Sequence, residues 1–257
     1  MAQTPLPAQT WPNNWLVLHK SQGAIVTSAQ GLPLVVIACQ VFQSLIEKYL
    51  PDGMAKQVTF KDYGLHRVPS KLTWSVQEEI DQIEDPSLVM LGYGLCGNGL
   101  KGIQSRKHTL LIPRTDDCIA ILLGSYKKYI QEFDATPGTY YLTKGWLESG
   151  SNPLQEYQEY VEKYGEKDAT WIMDQQYQHY ERLVLVAHNQ EDMEKYRPRA
   201  EEVAEYCKRW NMRYEEILGS DIYVRRLIEI AFSPDSVDAN FLVIPPGGEV
   251  TQDMFMR

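Results

Sequence analysis

Cysteine is scarce in this chain. Four residues spread over 257 positions are too few for a disulfide scaffold, and they show neither zinc-finger nor thioredoxin spacing. No run of about 18 apolar residues occurs, so no transmembrane helix is expected. Basic residues are in deficit. With 25 Lys plus Arg against 34 Asp plus Glu, the net charge of −9 disfavours binding to a phosphate backbone, and no nucleic-acid partner is expected. Residues Met1 to Trp15 lack the basic start and apolar stretch of a signal peptide, which places the protein, as an expectation, in a reducing cytoplasm. There is no low-complexity tract, no Walker fingerprint and no Ser/His/Asp nucleophile elbow. The apolar share of 44% is ordinary and sufficient for a substantial core.

What is present is alternation. After a Pro/Gln/Asn-containing arm over residues 1–33, a buried strand is predicted at 34–38 and a helix at 41–49, with Phe42, Leu45, Ile46 and Tyr49 at helical spacing. A strand at 57–62 follows, then a helix at 71–83 introduced by Pro69-Ser70. Strands at 88–91 and 109–112, a helix at 118–133 and a strand at 139–143 complete the first run. Helices at 153–164 and 169–180 lead to a second, shorter run. It has strands at 182–187, 213–218 and 240–244, with helices at 192–210 and 221–232 between them. Such alternation predicts the α/β class, with Rossmann-like parallel sheets, flanking helices and right-handed crossovers. The expected organisation is an arm (1–33), a cysteine-bearing α/β lobe (34–150) and a helical segment with a second lobe (151–257). A cleft between the lobes, with the 153–180 helices between or beside them, would hold a small molecule.

Three of the four cysteines stand just after predicted strands, where open α/β sheets place their ligands. Cys39 follows Leu34-Val35-Val36-Ile37-Ala38. Cys96 lies in the loop Gly92-Tyr93-Gly94-Leu95-Cys96-Gly97-Asn98-Gly99, and Cys118 closes Pro113-Arg114-Thr115-Asp116-Asp117-Cys118. Cys207 falls inside a helix and reads as structural. Any one cysteine is about as often a buried packing residue, but three thiols at one sheet edge suit a soft metal. Glycines around Cys96 let the backbone turn and approach a ligand, and a helix start at Cys118 favours thiolate. A [4Fe–4S] cluster on Cys39, Cys96 and Cys118, with one iron open to substrate, is the favoured reading. Zinc with three sulfur ligands is the alternative.

Other residues join them. Gly94, Gly97 and Asn98 of the glycine loop and Arg114 are candidates for cofactor or anion binding, the arginine through a two-pronged grip. Of Asp116 and Asp117, one is expected to cap the following helix. Lys144, in Lys144-Gly145-Trp146, lands on the same edge and could bind an anion or move a proton. His66 and His188 each follow a strand and are the proton-handling candidates, although a lone histidine is more often a hydrogen-bonded structural residue. Gly92-x-Gly94-x-x-Gly97 matches dinucleotide spacing only superficially, because no helix clearly opens there.

The glycine–cysteine loop resembles the DUF1638 family, together with Pro113-Arg114, Asp117-Cys118-Ile119, Leu123-Gly124-Ser125, Gly138-Thr139-Tyr140-Tyr141-Leu142-Thr143 and Gly145-Trp146. The similarity covers about residues 34–244 and leaves the arm outside. No established activity comes with it. The resemblance implies anaerobic bacteria and methanogens, and a setting of corrinoid methyl transfer, which would suit an oxygen-sensitive cluster. It also implies a histidine where this chain has Asp116, so no histidine-dependent role is carried to that position. The functional expectation is a metal- or iron–sulfur-dependent enzyme acting on a small anionic substrate. The alternatives are a zinc–thiolate methyltransferase linked to corrinoid chemistry, a non-catalytic metal or corrinoid carrier, and a binding protein whose cysteines merely pack. A corrinoid or redox protein is the expected partner, no membrane contact is expected, and apolar surface on the arm leaves a homodimer open.

Overall fold

Apolar runs long enough for a strand and apolar on both faces belong in the interior of a parallel sheet, covered by helices on each side. The computed structural model describes residues 31–233 and 236–257, with the side chains of His66 and Arg67 outside that description. Most of the N-terminal arm likewise lies outside the described residues. Eight strands are described: β1 (Leu34–Cys39), β2 (Gln57–Lys61), β3 (Leu88–Gly92), β4 (Thr109–Pro113), β5 (Thr139–Leu142), β6 (Arg182–Ala187), β7 (Arg213–Leu218) and β8 (Phe241–Ile244). Nine α-helices accompany them: α1 (Gln43–Tyr49), α2 (Pro69–Asp81), α3 (Cys118–Leu123), α4 (Tyr126–Ala135), α5 (Lys144–Ser149), α6 (Pro153–Tyr164), α7 (Glu166–Tyr177), α8 (Gln190–Cys207) and α9 (Ile222–Phe232). None of them is long and apolar enough to cross a membrane.

The strands form two sheets. The larger has the order β2-β1-β3-β4-β8, parallel except for β8, and the smaller is the parallel set β5-β6-β7. In the larger sheet the chain leaves β1 towards β2 on one side and then continues through β3 and β4 on the other. The reversal puts a topological switch point between the carboxyl ends of β1 and β3, the usual ligand position in such sheets.

Alternation along the strands sorts the core. Val35, Ile37, Val89, Leu91, Leu110 and Ile112 face α2 and the C-terminal turn at Phe255. Val36, Ala38, Met90 and Leu111 face the other way, into a cluster built by α1, α3 and α9. Val184 and Val186 of β6 complete that same cluster, so these three helices are packed between the two sheets. Leu183 and Leu185 on the opposite face of β6 meet Met173 and Tyr177 of α7 and Met193, Ala200 and Val203 of α8. Each large side chain so buried contributes about 1.5–3 kcal/mol.

The expected α/β class and parallel sheets are present, with two differences in where strands pair. The strand at 240–244, expected in the second lobe, is β8 and returns antiparallel to the edge of the first sheet. β5 pairs with β6, so the expected boundary at residue 150 is not where the sheets divide. The helices of 153–180 lie beside the second sheet, against its outer face, one of the two expected positions. The reason is local. β5 is preceded by α4, which leads the chain across, and α9 then carries it back over β3 and β4.

Candidate functional site at the strand ends

The carboxyl edge of the first sheet is made by three loops. Cys39 closes β1 and passes into a 3₁₀ turn at Gln40–Phe42. The loop after β3 is tied to the loop after β4 through backbone bonds, Leu95 N–H to Thr115 O (2.8 Å) and Cys96 N–H to Asp116 O (2.9 Å). Gly94 permits this approach. A Cβ there would stand 2.6 Å from Thr115 Oγ1 and 2.7 Å from the Asp117 carbonyl. Cys96 itself adopts φ 50°, in the left-handed region, so its side chain is set by a strained turn. Asp117 caps α3 as expected of one aspartate, accepting from Ile119 N–H at 2.7 Å and from the Tyr129 hydroxyl at 3.2 Å. Asp116 is exposed.

The three thiols lie within electrostatic reach of one another. Cys96 and Cys39 both oppose charge on Cys118, and Cys39 opposes charge on Cys96. Backbone amides favour the thiolate form, that of Val41 at Cys39 and those of Gly94 and Cys118 at Cys96. Burial nevertheless dominates. It pushes Cys39 up to about 11, and Cys96 and Cys118 further still. This corrects the expectation that a helix start holds Cys118 as thiolate. The amide contribution has the expected sign, but desolvation and the adjacent Asp117 outweigh it. Among the described residues no group of three or more His, Cys, Asp or Glu is disposed to hold a metal ion, so binding one would require the thiol side chains to turn towards a common point.

Two of the expected loop residues stand away from the thiols. Gly97 and Asn98 form the exposed tip of the turn, at φ 63° and 71°. Arg114 is also turned aside. Its Nε donates to Met254 O (2.7 Å) and a terminal nitrogen to Met256 O (2.5 Å), so the fork expected to grip an anion fastens the C-terminal segment. The side chain of His66 lies outside the described residues. A residue the sequence reading passed over is Tyr93. It is 3% exposed, its hydroxyl has no hydrogen-bond partner, and its ionisation is opposed by burial and then by Cys39 and Cys96. Its place between two glycines in the cysteine loop was the available signal.

The second sheet brings its carboxyl edge to the same region. Lys144-Gly145-Trp146, which follows β5, begins α5, whose Thr143 cap accepts from Trp146 N–H at 3.5 Å. The ring of Tyr63 lies against Gly145, where a Cβ would be 2.5 Å from a ring carbon. Tyr63 joins the two edges. Its ionisation is pushed up to about 12 by burial and then by Glu148 of α5, Cys39 and Tyr196. Lys144 Nζ donates to Ser44 Oγ of α1 at 2.6 Å and is 3.8 Å from an Asp192 carboxylate oxygen. His188, directly after β6, keeps Nε2 buried without a partner. Burial, and then Lys144, lowers its pKa to about 4, which leaves a neutral imidazole at pH 7. Lys144 and His188 thus meet in a pocket of about 240 Å³, walled also by Ser44, Lys48, Asp192 and Asp221. Asp192 and Asp221, unremarked in the sequence, became visible only when α1 was packed against the second sheet.

A family described as a protein of unknown function (DUF1638) matches residues 60–227, which span the glycine–cysteine loop, Cys118, Lys144 and His188. No curated protein and no solved structure matches the chain.

Proposed function

Since the chain belongs to the DUF1638 family, whose description assigns no activity, we propose from its own residues a metal-dependent enzyme built on Cys39, Cys96 and Cys118. The favoured group is a [4Fe–4S] cluster. The reading is supported by the position of three cysteines after three adjacent strands of one sheet, β1, β3 and β4, close enough for charge on one to oppose charge on another. The donor set fits a soft metal, and backbone N–H groups on sulfur favour the thiolate form that a metal requires. When bound, such a cluster with one open iron supplies a Lewis acid or an electron donor.

The chain's own residues supply the rest. Lys144, held by Ser44, offers a positive charge to an anionic group of a small substrate. His188, neutral and with Nε2 unpartnered, is able to accept a proton without first losing one. Tyr63 and Tyr93, whose ionisation burial opposes first and Cys39 also, stay protonated beside this chemistry.

Protein purified without oxygen is expected to be coloured and to carry about four iron and four sulfide per chain. Single Cys39→Ser, Cys96→Ser and Cys118→Ser variants are expected to lose that content, and Cys207→Ser to keep it. About one zinc without sulfide would replace the cluster by a zinc–thiolate site. A folded, colourless, metal-free protein would end the reading.

A further inference from the structure

The pocket beside Lys144 deserves a closer chemical reading than a basic anion site. Its charged wall contains Lys48 and Lys144, but also Asp192 and Asp221. The two signs balance, and His188 adds no charge. A dianion placed here would face two carboxylates in the same small volume, and a simple cation would face two ammonium groups. Lys144 leans on Ser44 at 2.6 Å and on Asp192 at 3.8 Å, while Asp221 accepts from the Tyr49 hydroxyl. Tyr49 is itself covered by Arg225, whose guanidinium lies 5.5 Å from the ring centre and outside the pocket wall. At about 240 Å³ the space is below the ~300–1,000 Å³ usual for pockets that hold drug-sized ligands, so its occupant is smaller than that.

We propose that the pocket bounded by Ser44, Lys48, Lys144, His188, Asp192 and Asp221 binds a small zwitterion, an amine that also carries a carboxylate. Lys144 and Ser44 take the carboxylate, the two aspartates take the ammonium, and His188 Nε2 completes its hydrogen bonding on the ligand. The inference rests on the pocket being the substrate site, and it does not require the metal, because no cysteine lines the pocket.

Titration by calorimetry with glycine, β-alanine and γ-aminobutyrate, each beside acetate, propionate, ethylamine and propylamine, tests the proposal on the full chain. At least one zwitterion is expected to bind tenfold or more tightly than every ligand bearing only one of its charges. Lys144→Met and Asp221→Asn are each expected to weaken that ligand at least tenfold, with unchanged thermal unfolding as the check on folding. If Asp221→Asn releases Tyr49 and fails to fold, Asp192→Asn reads the same carboxylate wall. Metal-free and metal-containing preparations of the unaltered chain are expected to bind alike, so failure of the metal reading would leave this result standing. Equal or tighter binding of the monocarboxylates, or no binding across the series, would overturn the proposal.

Discussion

A buried thiol keeps its proton until something pays for the charge, and Cys39, Cys96 and Cys118 are all in that position. In metal-free protein at pH 8 their alkylation is therefore expected to be slower by orders of magnitude than that of the unfolded chain. Rapid labelling of Cys96 would show a thiol that is neither buried nor protonated. His188 offers a second test. Its pKa falls from 6.5 in the unfolded chain to about 4 in the fold, so its neutral form contributes stability that is complete above about pH 6.5. That contribution is lost as the pH falls towards 4, and amounts to on the order of 2–3 kcal/mol once solvent screening of the ring's exposed edge is allowed for. Urea midpoints of His188→Gln are expected to change less between pH 6.5 and 4 than those of the unaltered chain. Parallel curves would contradict the buried, neutral imidazole. The positions of these groups after strands were legible in the chain. Their protonation was not, because it depends on burial by residues distant in sequence.

At the scale of elements, close approach matters more than propensity. Gly94→Ala would drive a methyl into the Thr115 side chain and the Asp117 carbonyl, atoms that belong to the second cysteine loop. Overpacking of this kind costs about 1–3 kcal/mol. The variant is expected to lose that much stability in a denaturant titration and to separate Cys96 from Cys118, with metal content falling alongside. Unchanged stability would mean that the two loops are not held as described. The sequence pattern located most strands, since runs such as Leu34-Val35-Val36-Ile37-Ala38 have no other comfortable home. It misread the stretch 118–133 as one helix. Gly124 at φ 78° ends α3, and Ser125 restarts the chain as the cap of α4, accepting from Lys128 N–H at 3.3 Å. A Gly-Ser pair inside an apolar run carries a stop and a start, yet its composition is also that of a tolerated packing position.

For the whole molecule, the shared core decides the behaviour. α1, α3 and α9 bury their apolar faces against both sheets, and the second sheet is pinned to the first where Gly219 approaches the Leu122 carbonyl and Ser220 N–H bonds to it at 3.1 Å. A single cooperative unfolding transition is expected, coincident by tryptophan fluorescence and by far-ultraviolet circular dichroism. Two separated transitions would indicate lobes that fold alone. The alternation of strands and helices made the fold class legible, but it did not reveal that β8 crosses back to the first sheet, because a four-residue strand carries no mark of its partner. The pocket between α1 and β6 was hidden for the same reason. Its walls come from five elements, and only Lys144 and His188 stood at recognisable strand ends.

The proposed function requires sulfur from three strand ends to hold one metal group. Crystals grown without oxygen and measured at the iron and zinc absorption edges test it most directly. One anomalous centre is expected at the carboxyl edge of the first sheet, with the sulfurs of Cys39, Cys96 and Cys118 each about 2.3 Å from a metal atom. Three protonated or disulfide-linked cysteines there, with no anomalous signal, would contradict it.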